Sequence, residues 1–142
     1  MKICIVSCVK NKKKGTHKAK DLYTSSLFKK SMQYAEDLCD ETYIYSAKHG
    51  IIKPDKKIKS YDVTIGSLPW QKRNILKEKV AKTLIKKTKK GDTVVFLTGN
   101  LYKKGVAYEL IKKKRKVEYP LNRMKIGQRL KWLNEQLEGG SK

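Results

Sequence analysis

Four short apolar runs, each followed by a segment with helical spacing, constrain this chain of 142 residues more than any other feature. The runs are rich in β-branched residues, and they are Lys2–Val9, Glu41–Tyr45, Asp92–Asn100 and Lys116–Leu121. Continuous apolar runs of this kind are typical of strands buried on both faces, as in a parallel sheet. The alternation predicts a single α/β domain over residues 1–137, with a four-stranded, mostly parallel sheet and helices on both faces. Residues 138–142 are expected to form a disordered tail.

Polar residues follow each of the predicted strands. The first strand ends in SCVKNK, the second in SAKHG and the third in TGN, and PLNRMKIG follows the fourth. In open parallel sheets the ligand lies outside the carboxyl ends of the strands, so we expect these four stretches to share one polar cleft. The connection at positions 47–67 is interpreted as a long loop, and loops of that length in compact domains are usually functional or mobile.

The charge of the chain indicates an anionic partner. Lys and Arg number 35 against 13 Asp and Glu, which gives a formal net charge of +22. Such a field attracts nucleic acid, nucleotides or an anionic membrane surface. A coat of solvated lysines explains the same composition, and charge alone does not separate the two interpretations. Lysine far exceeds arginine, which weakens the case for base-specific recognition, because Arg is the better bidentate ligand of bases.

The cysteines and the N-terminus favour a reducing, cytoplasmic environment. Cys4, Cys8 and Cys39 form no CxxC pair and no Cys/His cluster, so we expect free thiols and no structural zinc site. The apolar N-terminal stretch is too short for a signal peptide, and no run approaches the length of a membrane span. We therefore expect a cytoplasmic protein that makes no membrane contact and uses no metal or other cofactor.

His49 and Asp62 are the two candidates for catalysis. His49 lies in SAKHG and titrates near neutrality, which suits a proton donor; alternatively it fixes a turn through backbone hydrogen bonds. Asp62 lies in SYDVT, where a lone carboxylate can position water or stabilise a developing cation. Its alternatives are an ion pair with a lysine or an Asx-type turn.

Further residues are candidates for substrate binding. They combine cations for phosphate, small polar residues and aromatic rings, and they are Cys8, Lys10, Tyr23, Ser25, Ser46, Lys48, Tyr61, Gly99, Asn100, Tyr102 and Arg129. Cys8 is more simply explained as a buried small hydrophobe, and Gly99 with Asn100 as part of a helix cap. The lysine runs at positions 86–90 and 112–116 are either a solvated face at helix ends or a patch that tracks phosphates.

The stretches SCVKNK, KDLYTSSLFKKSMQYAE, YIYSAKHGIIKPDKKIKSYD, LTGNLY and PLNRMKIGQRLKWLNEQL together resemble a family of small uncharacterised bacterial and phage domains. These domains are often described as relatives of the peroxide-stress protein YaaA. The resemblance covers nearly the whole chain and implies DNA binding and protection against oxidative damage. A similar first strand occurs in a domain of archaeosine-pathway enzymes, which implies a fold like that of uracil-DNA glycosylases. The chain departs from the family pattern at Val9, where serine is frequent, and it lacks the helix-hairpin-helix insertion of full-length YaaA.

The leading hypothesis is a nucleic-acid-directed enzyme that cleaves or exchanges a nucleobase glycosidic bond, acting on DNA in preference to RNA. Such chemistry takes the base out of the stack and needs a carboxylate near the sugar, which would be Asp62. His49 would donate to the leaving base. The cations that hold the phosphates would be Lys10, Lys48 and Arg129. The ring that stacks on the base would be Tyr61 or Tyr102. The alternatives are a non-catalytic basic module that binds nucleic acid, and a nucleotide-binding enzyme or sponge.

Overall fold

The computed structural model of the protein describes residues 1–8, 12–122 and 124–140. The strands are β1 (Lys2–Ser7), β2 (Thr16–Lys18), β3 (Glu41–Ser46), β4 (Gly50–Ile52), β5 (Lys57–Lys59), β6 (Thr93–Leu97) and β7 (Lys116–Glu118). The helices are α1 (Ala19–Leu22), α2 (Ser26–Leu38), α3 (Trp70–Lys87), α4 (Asn100–Lys103), α5 (Val106–Lys112) and α6 (Ile126–Gly140). Helix α6 thus continues through residues 138–140, at the start of the segment expected to be a tail.

Five strands form the main sheet, in the order β4-β3-β1-β6-β7. Strands β3, β1, β6 and β7 are parallel, and β4 pairs antiparallel with β3 at the edge. The prediction of a mostly parallel sheet is confirmed, whereas the predicted count of four strands is wrong. The extra strand, β4, lies in the segment interpreted as a loop, and its three residues are too few to give a periodic strand signal.

A two-stranded antiparallel ribbon of β2 and β5 stands apart from the main sheet. It joins the segment that follows β1 to the segment that follows β4. Backbone hydrogen bonds from Ala19 to Lys56 and from Lys20 to Pro54 hold α1 against the second of these segments. The ribbon thereby orders two stretches of chain that the sequence pattern indicates to be loops.

Helices cover both faces of the sheet. Helix α2 packs against α6 and β1, while α3 packs against α5 and β4. The chain crosses the sheet in one direction from β1 to β3 and in the other from β3 to β6. Because crossovers between parallel strands are right-handed, these two steps place α2 and α3 on opposite faces.

A disulfide ties the central strand to the end of α2. Cys4 lies fully buried in β1, and Cys39 is the C-cap residue that follows α2, with the two Cα atoms 5.8 Å apart. The expectation of three free thiols is therefore wrong for this pair, and Cys8 is the free cysteine of the described residues. Sequence spacing gives no sign of the pairing, because 35 residues separate the two cysteines and the fold alone brings them together.

Within residues 1–8, 12–122 and 124–140, no helix combines the length and the apolar character needed to cross a membrane. In the same residues, no group of three or more His, Cys, Asp or Glu side chains is arranged to hold a metal ion.

Candidate functional site

Hydroxyl and thiol groups gather at the carboxyl ends of the central strands. We call these residues the hydroxyl cluster; they are Cys8, Tyr23, Ser46, Tyr61 and Tyr102. The strand order places β1 between β3 and β6, so the ends of these three strands are adjacent. Cys8 follows β1, Ser46 ends β3 and Tyr102 lies in α4, which follows β6. These strand ends share one edge of the sheet, as expected from the sequence, and this arrangement brings the cluster together.

Tyr61 is at the centre of a chain of hydrogen bonds. Its hydroxyl lies 2.5 Å from that of Tyr23 and 2.8 Å from the Ser46 Oγ. The Ser46 Oγ also accepts from the backbone amides of Lys48 and His49, at 3.2 and 3.1 Å. Since both of its lone pairs are then occupied, Ser46 donates its proton to Tyr61, which donates in turn to Tyr23.

The phenols of this chain stay protonated at neutral pH. Burial raises the pKa of Tyr23 to about 12, and it raises the pKa of Tyr61 far above the usual range of a phenol. The nearby Cys8 adds to the rise at both tyrosines. The chain of hydrogen bonds therefore consists of ordered, neutral hydroxyl groups, and it does not supply a phenolate.

Cys8 connects the central strand to α4. Its Sγ lies 3.1 Å from the Tyr102 hydroxyl and accepts from the Ala47 backbone amide at 3.4 Å. The side chain is only 6% exposed. Tyr102 is also buried, and its ring meets Tyr45 edge-to-face with centroids 4.9 Å apart. In this arrangement Tyr102 packs against neighbouring residues, and its ring is not exposed for stacking on a base.

His49 lies in the tight turn between β3 and β4. Gly50, with φ of +74°, completes that turn in the left-handed region that favours glycine. The imidazole meets the Tyr61 ring edge-to-face, with centroids 5.5 Å apart. Its Nε2 is buried and has no hydrogen-bond partner among the residues that the structure describes.

The electrostatic environment keeps His49 uncharged. Burial lowers its pKa below the ordinary 6.5, and the cations Lys48, Lys56 and Lys79 lower it further. At neutral pH the ring is therefore neutral and can donate from one nitrogen and accept at the other.

Two ammonium groups lie over the Tyr61 ring. The Lys12 Nζ is 4.6 Å from the ring centroid and the Lys48 Nζ is 5.9 Å from it. Both distances are within the range of cation–π attraction. Lys10, which was predicted to bind phosphate, lies outside the described residues.

The remaining predicted residues do not belong to the hydroxyl cluster. Asp62 is exposed, and its carboxylate has no hydrogen-bond or ion-pair partner within residues 1–8, 12–122 and 124–140. Ser25 caps α2, accepting from the Phe28 backbone amide at 3.1 Å. Gly99 accepts from the Tyr102 backbone amide at 3.2 Å, and Asn100 begins α4, so both belong to the start of that helix.

A second feature of the same edge is a groove of about 630 Å³ beside the ends of β6 and β7. We call it the edge groove, and it is lined by Thr98, Lys103, Lys104, Ala107, Tyr119, Asn122 and Arg129. Three of these residues are cations and none is a carboxylate. Among them, only Arg129 was predicted from the sequence as a binding residue. The available signal was that LYKK follows the third predicted strand and that YPLN forms the end of the fourth, so topology places both at this edge.

Contacts inside the edge groove hold its cations in place. Lys103 donates to the Asn122 Oδ1 at 2.6 Å, and its Nζ lies 4.2 Å from the centroid of the Tyr119 ring. The Arg129 Nε donates to the Met124 carbonyl at 2.9 Å, which fixes the guanidinium. The cations come from α4, from the turn after it and from α6, so the fold itself gathers them.

The two lysine runs lie at the opposite end of the sheet. Residues 86–90 lead into β6 and residues 112–116 lead into β7, so both lie at the amino ends of the parallel strands. Arg115, within the second run, donates to the Thr88 Oγ1 at 2.9 Å and to the carbonyls of Thr88 and Ile85 at 2.7 and 3.0 Å. This arginine therefore caps the end of α3.

The fold and the site define an α/β domain with a basic, tyrosine-rich carboxyl edge. The model of the family of unknown function DUF6884 matches residues 3–135, and the chain belongs to that family. It is 37% identical over 73 residues to the uncharacterized protein YfjM of Bacillus subtilis (strain 168), a match that covers 46% of this chain and 49% of YfjM. The chain thus spans about half the length of this curated relative. No solved structure matches it. These comparisons do not show a relationship to YaaA or to uracil-DNA glycosylases, and that resemblance stays a hypothesis.

Proposed function

We propose that this protein binds nucleic acid at the carboxyl edge of its sheet. The observation that carries the proposal is the edge groove, where Lys103, Lys104 and Arg129 line one cavity without a carboxylate. Cations that converge on a concave site focus their field on a phosphate more strongly than cations scattered over a surface. The net charge of +22 adds long-range attraction for a polyanion.

Cations lie at both sides of this edge. Lys12 and Lys48 lie over Tyr61 near the end of β3, whereas the edge groove lies beside the ends of β6 and β7. Three inter-strand spacings separate β3 from β7, which is about 14 Å. A stacked strand of about four nucleotides covers that distance, at roughly 3.4 Å per phosphate. The edge therefore suits a short length of nucleic acid.

Two matched triple variants test the proposal. The edge variant is Lys103→Gln, Lys104→Gln and Arg129→Gln, and the control variant is Lys86→Gln, Lys89→Gln and Lys90→Gln. Each removes three positive charges, and the three control lysines are exposed at the amino ends of the strands. Thermal unfolding of both variants establishes that they fold.

Binding is measured by fluorescence anisotropy with single- and double-stranded DNA and RNA over a series of salt concentrations. We expect the edge variant to lose at least about tenfold in affinity for every sequence, and its salt slope to fall by about 2 to 3. The control variant should bind nearly as well as the unmodified chain. Equal losses in the two variants would show that the lysines act as a general coat, and would contradict binding at the carboxyl edge.

A second candidate function is cleavage or exchange of a nucleobase glycosidic bond, the leading hypothesis from the sequence, for which the resemblance to the archaeosine-pathway domain implies a glycosylase-like fold. His49 supports it, because its Nε2 is buried without a hydrogen-bond partner in the described part of the chain, and a local opening of the site would let a leaving base supply that partner. Its lowered pKa suits a hydrogen bond to the leaving base better than the donation of a whole proton. Asp62, the residue after Tyr61, is exposed and thus accessible to a bound sugar.

In hydrolysis the bond between C1′ and the base nitrogen breaks, water supplies the hydroxyl to C1′, and one proton reaches the base. Mass spectrometry of bases released from a panel of DNA and RNA, unmodified and base-modified, tests for this reaction. We expect Asp62→Asn to abolish release while binding survives. Undiminished release by that variant would remove Asp62 from the mechanism, and no release by the unmodified chain would leave binding as the function.

A further inference from the structure

We infer that the edge groove binds a phosphate monoester, either the phosphate of a nucleoside monophosphate or the terminal phosphate of a nucleic acid strand. The inference rests on the proposed function and names the ligand class of the same site. An internal phosphodiester is also attracted by cations, but it carries a single charge and does not end in the groove.

The charge of the edge groove matches a dianion. A phosphate monoester carries a charge of about −1.5 to −2 at pH 7, because its second pKa is near 6, whereas each internal phosphodiester carries a single charge. Three cations line the groove, and none of its lining residues is acidic. Three cations around one cavity exceed the single charge of a diester by two, and they come closer to the charge of a monoester.

The shape of the groove favours a strand end or a single nucleotide. Its volume of about 630 Å³ falls in the range of small-molecule sites, and its walls come from Thr98 just after β6, from α4 and the turn after it, from α5 and α6, and from the segment after β7. A concave site with walls from several parts of the fold suits a group that enters and ends there. The volume is also well above the need of a lone phosphate ion, which leaves room for the attached nucleoside.

Donors for the phosphate are already held in position. The Arg129 Nε is bound to the Met124 carbonyl, so the guanidinium is oriented before a ligand arrives and its terminal nitrogens can contact two phosphate oxygens. Lys103 is held by Asn122 and by the face of Tyr119. Burial raises the pKa of Tyr119, so its hydroxyl remains a neutral hydrogen-bond donor. Such pre-ordering reduces the entropy that binding would otherwise cost.

The test compares one single-stranded oligonucleotide in two forms, with a 5′-phosphate and with a 5′-hydroxyl, by fluorescence anisotropy. A 3′-phosphorylated form is measured beside them. Nucleoside monophosphates and the corresponding nucleosides serve as competitors. We expect one phosphorylated end to bind at least about tenfold more tightly than the hydroxyl form, and the monophosphate to compete while the nucleoside does not.

Variants locate the effect. Arg129→Gln and, separately, Lys104→Gln should remove the preference for the phosphorylated end; Lys104 is exposed, so its replacement leaves the packing intact. Lys90→Gln should keep the preference, since it removes one charge at the amino ends of the strands.

The outcomes separate this inference from the proposed function. Equal affinity for all forms of the oligonucleotide, with no competition by monophosphates, would overturn the monoester site and leave nucleic-acid binding standing. Binding of the monophosphate without binding of any oligonucleotide would support the monoester site with a free nucleotide as its ligand, and would overturn the proposed function. No binding of either ligand would overturn both.

Discussion

At the scale of single residues, one phenol organises the hydroxyl cluster. The Tyr61 hydroxyl joins Tyr23, which follows α1, to Ser46, which ends β3. Its ring also meets His49 and Lys12. Because Tyr23 and Ser46 are fully buried, neither has water available to replace Tyr61 as a partner. Removing a single oxygen atom therefore tests how much the cluster contributes to stability.

We expect Tyr61→Phe to lower the free energy of unfolding by about 1–3 kcal/mol, because it leaves buried hydroxyls without a partner. Urea unfolding followed by circular dichroism measures the change. Tyr108→Phe is the matched control, because Tyr108 is 63% exposed and its hydroxyl reaches water. A loss as small as that of the control would show that the hydrogen-bond chain contributes little to stability.

His49 should make stability depend on pH. Its folded-state pKa lies below the ordinary 6.5, so protonation is harder in the folded chain than in the unfolded chain. The stability that a neutral His49 contributes is therefore full above pH 6.5 and is lost as the pH falls from there towards the folded-state pKa. His49→Gln should flatten this part of the profile, measured as urea midpoints between about pH 5 and pH 8.

The control for this prediction is His17→Gln, since His17 is the other of the two histidines. Its Nε2 lies 2.7 Å from the Lys14 carbonyl, in an exposed contact. The carboxylates that also titrate at low pH contribute equally to the stability of both variants, so the difference between the two profiles reports the histidine alone. If the profile of His49→Gln matches that of the unmodified chain, His49 does not set the acid sensitivity.

At the scale of secondary structure, the sequence predicts the long buried strands and the short strand β7, but it misses three other short strands. The runs that form β1, β3 and β6 are apolar on both faces, so composition alone identifies them. Strands β2, β4 and β5 have three residues each and depend on tertiary pairing. Their basic, polar surroundings resemble a loop, which is why the segment at positions 47–67 was the least predictable part of the fold.

In the candidate site, too, the residues placed by the long strands were predictable and those placed by short elements were not. Topology predicts that Cys8, Ser46 and Tyr102 share an edge, because each follows a parallel strand. It does not predict which hydroxyls pair, since Tyr23 and Tyr61 reach the cluster through the ribbon of β2 and β5. The edge groove was missed because its lysines lie in the short helix α4 and in the turn after it, where basic residues have no distinctive spacing.

Arg115 should stabilise the end of α3. Its guanidinium donates to three oxygens of Ile85 and Thr88, which satisfies carbonyls that the end of a helix otherwise leaves unpaired. We expect Arg115→Gln to lower the free energy of unfolding by about 1.5–3 kcal/mol, measured by urea unfolding. Lys90→Gln removes the same charge from an exposed position nearby and should change stability by less than about 0.5 kcal/mol. Similar effects of the two substitutions would mean that Arg115 acts through its charge alone.

At the scale of the whole molecule, the disulfide joins the middle of the sheet to the helix layer. Closing a loop of about 35 residues restricts the unfolded chain and contributes roughly 4 kcal/mol in the chain-entropy model. We expect a reductant to lower the urea midpoint of the unmodified chain and to leave that of Cys39→Ser unchanged. Coincident curves for the unmodified chain with and without reductant would show that the two cysteines are thiols in solution.

The two edges of the main sheet determine how the molecule behaves when salt screens its charge. Each edge strand, β4 and β7, has three residues, so each presents very few unpaired backbone groups to a neighbouring molecule. Lys53 and Pro54 follow β4, and Lys116 begins β7, which are residues that oppose the addition of another strand. The chain should consequently resist edge-to-edge aggregation through its backbone as well as through its charge. Concentrated samples in high salt, where electrostatic repulsion no longer keeps molecules apart, are therefore expected to remain dispersed.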